Sequence, residues 1–184
     1  MKYRRLAPFV LIICVLPFAS CASCKPGSFT IERKSAESVV DGSPSVLGLP
    51  VVNVLPPMKI DFDLQQELES HDAKGAKSVF LQDLTLKITD TKQPDGDTDN
   101  FDFLDHVDVY IESTKDGTDL EKVKIASLAD IPSGSQTATF AVEQDVDLKP
   151  YIEEGVRLTT KGQGQAPEDD TSLLADVTVL VKVL

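Results

Sequence analysis

Ala175-Asp176-Val177-Thr178-Val179-Leu180-Val181-Lys182-Val183 puts an apolar residue at every odd position, with Asp176, Thr178 and Lys182 between them. Successive side chains of a strand point to opposite faces, so this period of two predicts a strand with its valines inside and its polar groups in water. The pattern recurs upstream. Leu84, Leu86 and Ile88 oppose Thr85, Lys87 and Thr89, and Val107, Val109 and Ile111 oppose Asp108, Tyr110 and Glu112. Val123 and Ile125 alternate with Lys124 and Ala126, and Ala138, Phe140 and Val142 with Thr139 and Ala141. Val156, Leu158 and Thr160 make a shorter strand. One buried and one wet face is the habit of antiparallel sheets. A sheet with one apolar face must bury it against another, so seven or more such strands predict an all-β antiparallel sandwich.

The connections carry turn chemistry at Asp116-Gly117, Pro132-Ser133-Gly134, Glu154-Gly155 and Gly162-Gln163-Gly164. Further toward the start, Phe29-Thr30-Ile31 begins a first strand. Val51 to Leu55 reads as a short one before Pro56-Pro57, and Met58 to Phe62 alternates. One helix is expected after Asp63, which can cap it, with Gln66 three residues on and Leu64 and Leu68 on one face, fading by Gly75. Asp147 to Glu154 reads as a single helical turn between strands. No helix–strand alternation of the kind that builds Rossmann or barrel enzymes is present, and no internal repeat.

Several of these segments look familiar together. Leu84-Thr85-Leu86-Lys87-Ile88-Thr89-Asp90, Phe101-Asp102-Phe103-Leu104, Val109-Tyr110-Ile111, Ile125-Ala126-Ser127 and Asp147-Leu148-Lys149-Pro150-Tyr151 resemble uncharacterised bacterial envelope lipoproteins with an immunoglobulin-like sandwich. The likeness covers roughly residues 79–184. A fainter one is to the sandwich domain of late-embryogenesis-abundant type 14 proteins, whose frequent Asn-Pro-Asn this chain lacks. The resemblance implies an immunoglobulin-like fold and brings no catalytic residue with it.

The first residues read as an address. Lys2, Arg4 and Arg5 precede an almost wholly apolar run from Leu6 to Ala19, bracketed by Pro8 and Pro17. A basic start, a short apolar stretch and small residues at the exit describe a secretory signal peptide, and the run is short of the roughly 20 residues a spanning helix needs. A retained anchor or a buried core helix is the alternative. The exit, Phe18-Ala19-Ser20-Cys21, resembles the bacterial lipobox, whose cysteine is lipidated and becomes the new N-terminus. Phe18 stands where leucine is usual. Cys21 is the expected lipidation site. Cys24, after Cys21-Ala22-Ser23, is a second candidate, and ordinary cleavage after Ala22 is a third. Cys14, Cys21 and Cys24 are the only cysteines, so the body has no disulfides to staple it.

This organisation gives a signal peptide at 1–20, a lipid-anchored tether at 21–28 and a single β-sandwich domain at 29–184. Removing residues 1–20 leaves 164 of the 184 residues, a length that can bury roughly 68–70% of its unfolded surface. The leader takes three bases and no acids with it, so the formal charge moves from −12 to −15. So acidic a body repels phosphate backbones and anionic headgroups. Nucleic acid is not an expected partner; the membrane is one only through the N-terminal lipid. With no aspartate after Cys21, the expected location in a two-membrane bacterium is the outer membrane.

Candidate sites are few. Asp95, Asp97 and Asp99, in Asp95-Gly96-Asp97-Thr98-Asp99-Asn100-Phe101-Asp102, alternate as the carboxylates of calcium loops do. The EF-hand pattern nonetheless fails where its sixth-position glycine would be Asn100 and its closing glutamate His106. A weak calcium site or a solvated acidic loop are the two readings. A second acidic stretch, Glu168-Asp169-Asp170, would come near the first if both lie at one end of the sandwich. His71 and His106 are the only imidazoles, too few for a zinc site of three or four N or S ligands. His106, Asp108, Tyr110 and Glu112 share the outward face of one strand and read as a solvated face or a partner contact. No serine stands in a nucleophile-elbow setting. No enzyme activity and no cofactor is expected. The reading is a lipid-anchored envelope protein acting as a structural or interaction module with a protein partner, or alternatively one that binds a small ligand or calcium at loop 95–102.

Overall fold

The computed structural model of the chain describes residues 27–42, 50–52, 55–56, 62–89 and 99–184. The leader, Cys21, Cys24, Asp95 and Asp97 lie outside the described residues, as does most of the alternating run 58–62.

Among the described residues ten strands carry the fold: β1 Ser28–Lys34, β2 Ser38–Val40, β3 Pro50–Val52, β4 Ala76–Ile88, β5 Leu104–Ser113, β6 Val123–Leu128, β7 Thr137–Thr139, β8 Ala141–Val142, β9 Val156–Gln165 and β10 Thr171–Val183. Two short helices, α1 Leu64–Ser70 and α2 Lys149–Glu154, sit between them. One sheet has the order β1-β10-β4-β7, with β2 also on β10; the other is β3-β9-β5-β6-β8. Every pairing is antiparallel. The two sheets enclose one continuous apolar cluster, the sandwich that the alternation predicts.

The strand that decides the fold is the spine of the first sheet. β10 pairs with β1 over Ser28↔Lys182 to Lys34↔Asp176 and with β4 along nearly its full length. Its odd residues Leu173, Ala175, Val179 and Val181 are buried, and Lys182 is exposed. Across the core, Val107, Val109 and Ile111 of β5 are buried as their alternation requires. β6 departs from its expected period: Ala126, expected outward, has no exposure, and Ile125 and Leu128 are both buried, because a register shift opposite Val109 and Tyr110 breaks the alternation. Each such side chain removed from water contributes about 1.5–3 kcal/mol. This area, with no disulfide, holds the sheets together.

Three local features go beyond simple alternation. The run 137–142 is not one strand. β7 pairs with β4, β8 pairs with β6, and the chain crosses between sheets at buried Phe140, whose N–H donates to Leu84 O at 2.9 Å. Gly162-Gln163-Gly164 is not a turn, as its composition suggested, but the last part of β9. A Cβ built on Gly164 would lie 2.2 Å from Phe103 O, so glycine is there to let two backbones meet. The remaining glycine turns hold: Gly117 and Gly134 adopt φ of 70° and 73°.

Both helices start where the sequence places them. Asp63 caps α1, its Oδ1 accepting from Gln66 N at 3.1 Å, and Leu68 is buried. Before α2, whose N-cap is Leu148, Asp147 Oδ1 accepts from Lys149 N at 3.0 Å and from Val79 N at 2.9 Å, so one carboxylate ties the start of the helix to β4. Tyr151 of α2 is buried and donates to Glu121 O at 2.7 Å, fixing the segment before β6. Burial, with Glu121 nearby, pushes the Tyr151 hydroxyl up.

Candidate functional site

β10 is thirteen residues long and gives the sandwich two poles. At its Val183 end the chain enters the fold: Val183 N donates to Gly27 O at 3.1 Å, and His71 at the end of α1 stacks on Phe29 at 3.9 Å. At its Thr171 end lie Glu168-Asp169-Asp170 and the described part of the first acidic stretch, Asp99 to Asp102, which sequence alone could not bring together.

Asn100 accepts from Asp102 N at 2.9 Å and starts a 3-10 turn, Phe101–Phe103, whose two phenylalanines are buried. That anchor turns the polar residues outward. Asp99, Asn100 and Asp102 form one wall of a cleft of about 310 Å3, and Gln165, Glu168 and Asp169 line the other. Asp102 is already committed: its carboxylate accepts from Ser133 Oγ at 2.9 Å and Gly134 N at 2.7 Å. Gln136 Nε2 donates to Asp99 O at 3.2 Å, and Gly42 N donates to Asp170 Oδ1 at 2.8 Å. Four segments, 35–42, 99–105, 129–137 and 162–173, thus meet at this pole. Together they carry nine Asp and Glu residues and no Lys or Arg.

Of the three carboxylates expected to turn toward a cation, only Asp99 is among the described residues, half-buried in this wall. Among the described residues, no three His, Cys, Asp or Glu side chains come together as a metal site.

The stripe on β5 forms as expected, and its neighbours define it. His106 Nε2 lies 3.2 Å and Lys124 Nζ 3.5 Å from Asp108 Oδ1, while Glu112 faces Lys122 at 3.6 Å and Arg157 at 3.8 Å. Lys122 and Lys161 flank the Tyr110 ring at 5.4 and 5.1 Å. Partial burial lifts the Asp108 carboxyl, but His106 and Lys124 outweigh it and hold it below the ordinary aspartate range. Partly exposed pairs like these contribute about 0–1 kcal/mol each. The face is a ladder of compensated charge.

An apolar slot of about 110 Å3 opens between β10 and β9, lined by Phe62, Ile111, Val156, Leu158, Val177 and Val179. Val156 and Leu158 are 45% and 42% exposed there. Their alternation predicts a strand, and nothing in it tells a core position from the lip of an opening. Arg33 at the rim is engaged by Glu67 of α1.

No helix among the described residues is long and apolar enough to cross a membrane. No protein-family model and no curated protein sequence matches this chain.

Proposed function

We propose that the chain is a lipid-anchored protein of the bacterial cell envelope, a non-catalytic sandwich acting as a structural or protein-interaction module. A lipid on Cys21 holds it, in a two-membrane bacterium to the outer membrane. The observation that carries the reading is where the chain enters the fold. Gly27 lies at one pole, six residues after Cys21, so a lipid there leaves both sheet faces and the far pole clear. The basic, apolar, small-residue order of residues 1–21 supports the address, and the compensated ladder on β5 suits a surface that is wet or touches a polar partner. Replacing Cys21 with serine is expected to leave the protein in the aqueous phase or unprocessed, whereas Cys24→Ser still partitions into detergent. The opposite pattern moves the lipid to Cys24, and loss of partition in neither variant removes the anchor.

A second reading, weak calcium or small-ligand binding at loop 95–102, draws on the cleft that sets Asp99 and Asn100 across from Glu168 and Asp169. Calcium modules with incomplete cages bind at about 10⁻⁴–10⁻³ M.

A further inference from the structure

We infer that the turn between β5 and β6 is a site of spontaneous covalent modification, where Asp116 isomerises through Gly117 while the matching pair Asp41-Gly42 is guarded. The inference does not rest on the proposed anchor. Both pairs are Asp-Gly, and glycine suits the reaction because no side chain shields its amide. Asp95-Gly96, a third such pair, lies outside the described residues. Gly117 N attacks Asp116 Cγ. The N–Cγ bond forms, and the carboxyl OH leaves with the amide hydrogen as water. The five-membered imide then takes one water back. Opening at the Asp116 main-chain carbonyl leaves Gly117 joined through Cγ, as isoaspartate, with the backbone one atom longer. No oxidant, reductant or cofactor enters the balance.

Exposure does not separate the pairs, since Asp116 and Asp41 are both exposed. The attacking amide does. Gly117 is exposed, has a φ of 70°, and has nothing within 4 Å of a Cβ built on it. Among the described residues its N–H has no hydrogen-bond partner. The tip is held from its flanks, where Ser113 Oγ, Lys115 Nζ and Thr118 Oγ1 donate to the Glu154 carboxylate at 3.0, 3.0 and 2.6 Å. The peptide between Asp116 and Gly117 is left free to turn. Gly42 is the reverse. Its N–H donates to Asp170 Oδ1 at 2.8 Å, and a built Cβ would lie 2.2 Å from Asp169 Cα. That amide is engaged, and its peptide is wedged against the backbone beside it. Breaking a hydrogen bond to a carboxylate before the attack slows it by at least about tenfold.

The test incubates the full chain, folded and in urea, at mildly acidic pH. Isoaspartate is followed in peptides covering 113–122 and 35–42 by electron-transfer fragmentation, which separates the isomers at equal mass. In the folded chain it should accumulate at Asp116 at least about tenfold faster than at Asp41, and the two rates should converge in urea. Asp170→Ala should raise the rate at Asp41 several-fold and leave Asp116 unchanged. Asp170→Asn, which keeps an acceptor oxygen, should stay nearer the parent. No isoaspartate at Asp116 in the folded chain overturns the site. Equal rates at Asp116 and Asp41 in the folded chain overturn the selectivity. An unchanged rate at Asp41 in Asp170→Ala overturns the guarding role of that bond.

Discussion

The middle of the first sheet and the acidic pole are built by opposite means. Between β4 and β10, paired backbones and interlocking apolar side chains fix each residue's face, and Leu86, Leu173 and Val181 have no exposure at all. At the pole, irregular segments are tied by single polar bonds such as Asp102 to Ser133 and Gly134. A buried strand pair is over-determined, because moving one residue misplaces all its neighbours. A loop cluster held by exposed hydrogen bonds, each contributing about 0.5–1.5 kcal/mol, tolerates change and can concentrate charge the core could not hold. Stability lies in the one region and the chemical character of the molecule in the other.

The sharpest way to break this contrast is a charge in the spine. Val181→Asp buries an unpaired carboxylate and should cost roughly 4 kcal/mol or prevent folding. Lys182→Glu, one residue on and facing out, gives up only the contact of Lys182 with the Phe80 ring at 4.7 Å, about 0.5–1 kcal/mol. Equal losses in urea unfolding would refute the assignment of faces.

Next comes Asp147, a polar bond that behaves like the core. Val79 has no exposure, so Asp147→Ala strands its N–H and should cost about 2 kcal/mol. Asp147→Asn keeps an acceptor oxygen and should recover much of that loss. A neutral alanine variant would mean that α2 is not pinned through this carboxylate.

Acid should probe the compensated faces. The Lys87 hydrogen bond, working against partial burial and helped by Lys34, holds the Asp176 carboxyl low, and Asp108 is low as well. Hydrogen bonds from Thr118, Lys115 and Ser113 do the same for Glu154. For acids depressed in the folded state, the stabilisation is fully present above the unfolded value, near pH 4, and is lost as pH falls through the folded values. Melting temperature should therefore hold from about pH 7 to 5 and drop below about pH 4, with a shallower drop in Asp176→Asn. An acid limb as steep in that variant as in the parent would rule the pair out as a contributor.

The smallest effect is expected at the acidic pole. At calcium equal to a millimolar dissociation constant, stabilisation is only about 0.4 kcal/mol, so about 1 mM calcium should raise the melting temperature by a few degrees at most. The triple change Asp95→Asn/Asp97→Asn/Asp99→Asn should abolish that rise. A large rise at micromolar calcium, lost in the triple variant, would make the pole a true metal site and promote the second functional reading.

What was legible in the sequence follows the same divide. Strands with one face in the core write their period into the chain, so the buried faces of β5 and β10 could be read from it, whereas Thr85 of β4 and Ala126 of β6, expected outward, are buried. The capping pair Asp63 and Gln66 likewise marked α1, because a cap is a local bond. The crossing at Phe140 could not be read, since alternation is blind to which sheet a residue pairs with. Gly164 misled because a glycine that admits a neighbouring backbone looks the same as one that turns the chain. At the candidate site, the composition of each acidic stretch was plain. Their meeting depended on β5 pairing with β9 so that Leu104 lies opposite Gly164, sixty residues on, and no local signal announces that register.

The mass of the mature chain taken from bacterial membranes tests the anchor most directly. The N-terminal peptide should begin at Cys21 and carry a diacylglyceryl group on that cysteine, with Cys24 unmodified. A mature protein beginning at Cys24 would move the anchor. One beginning at Ser23 or retaining Met1, with no lipid mass on any cysteine, would contradict the proposed function altogether.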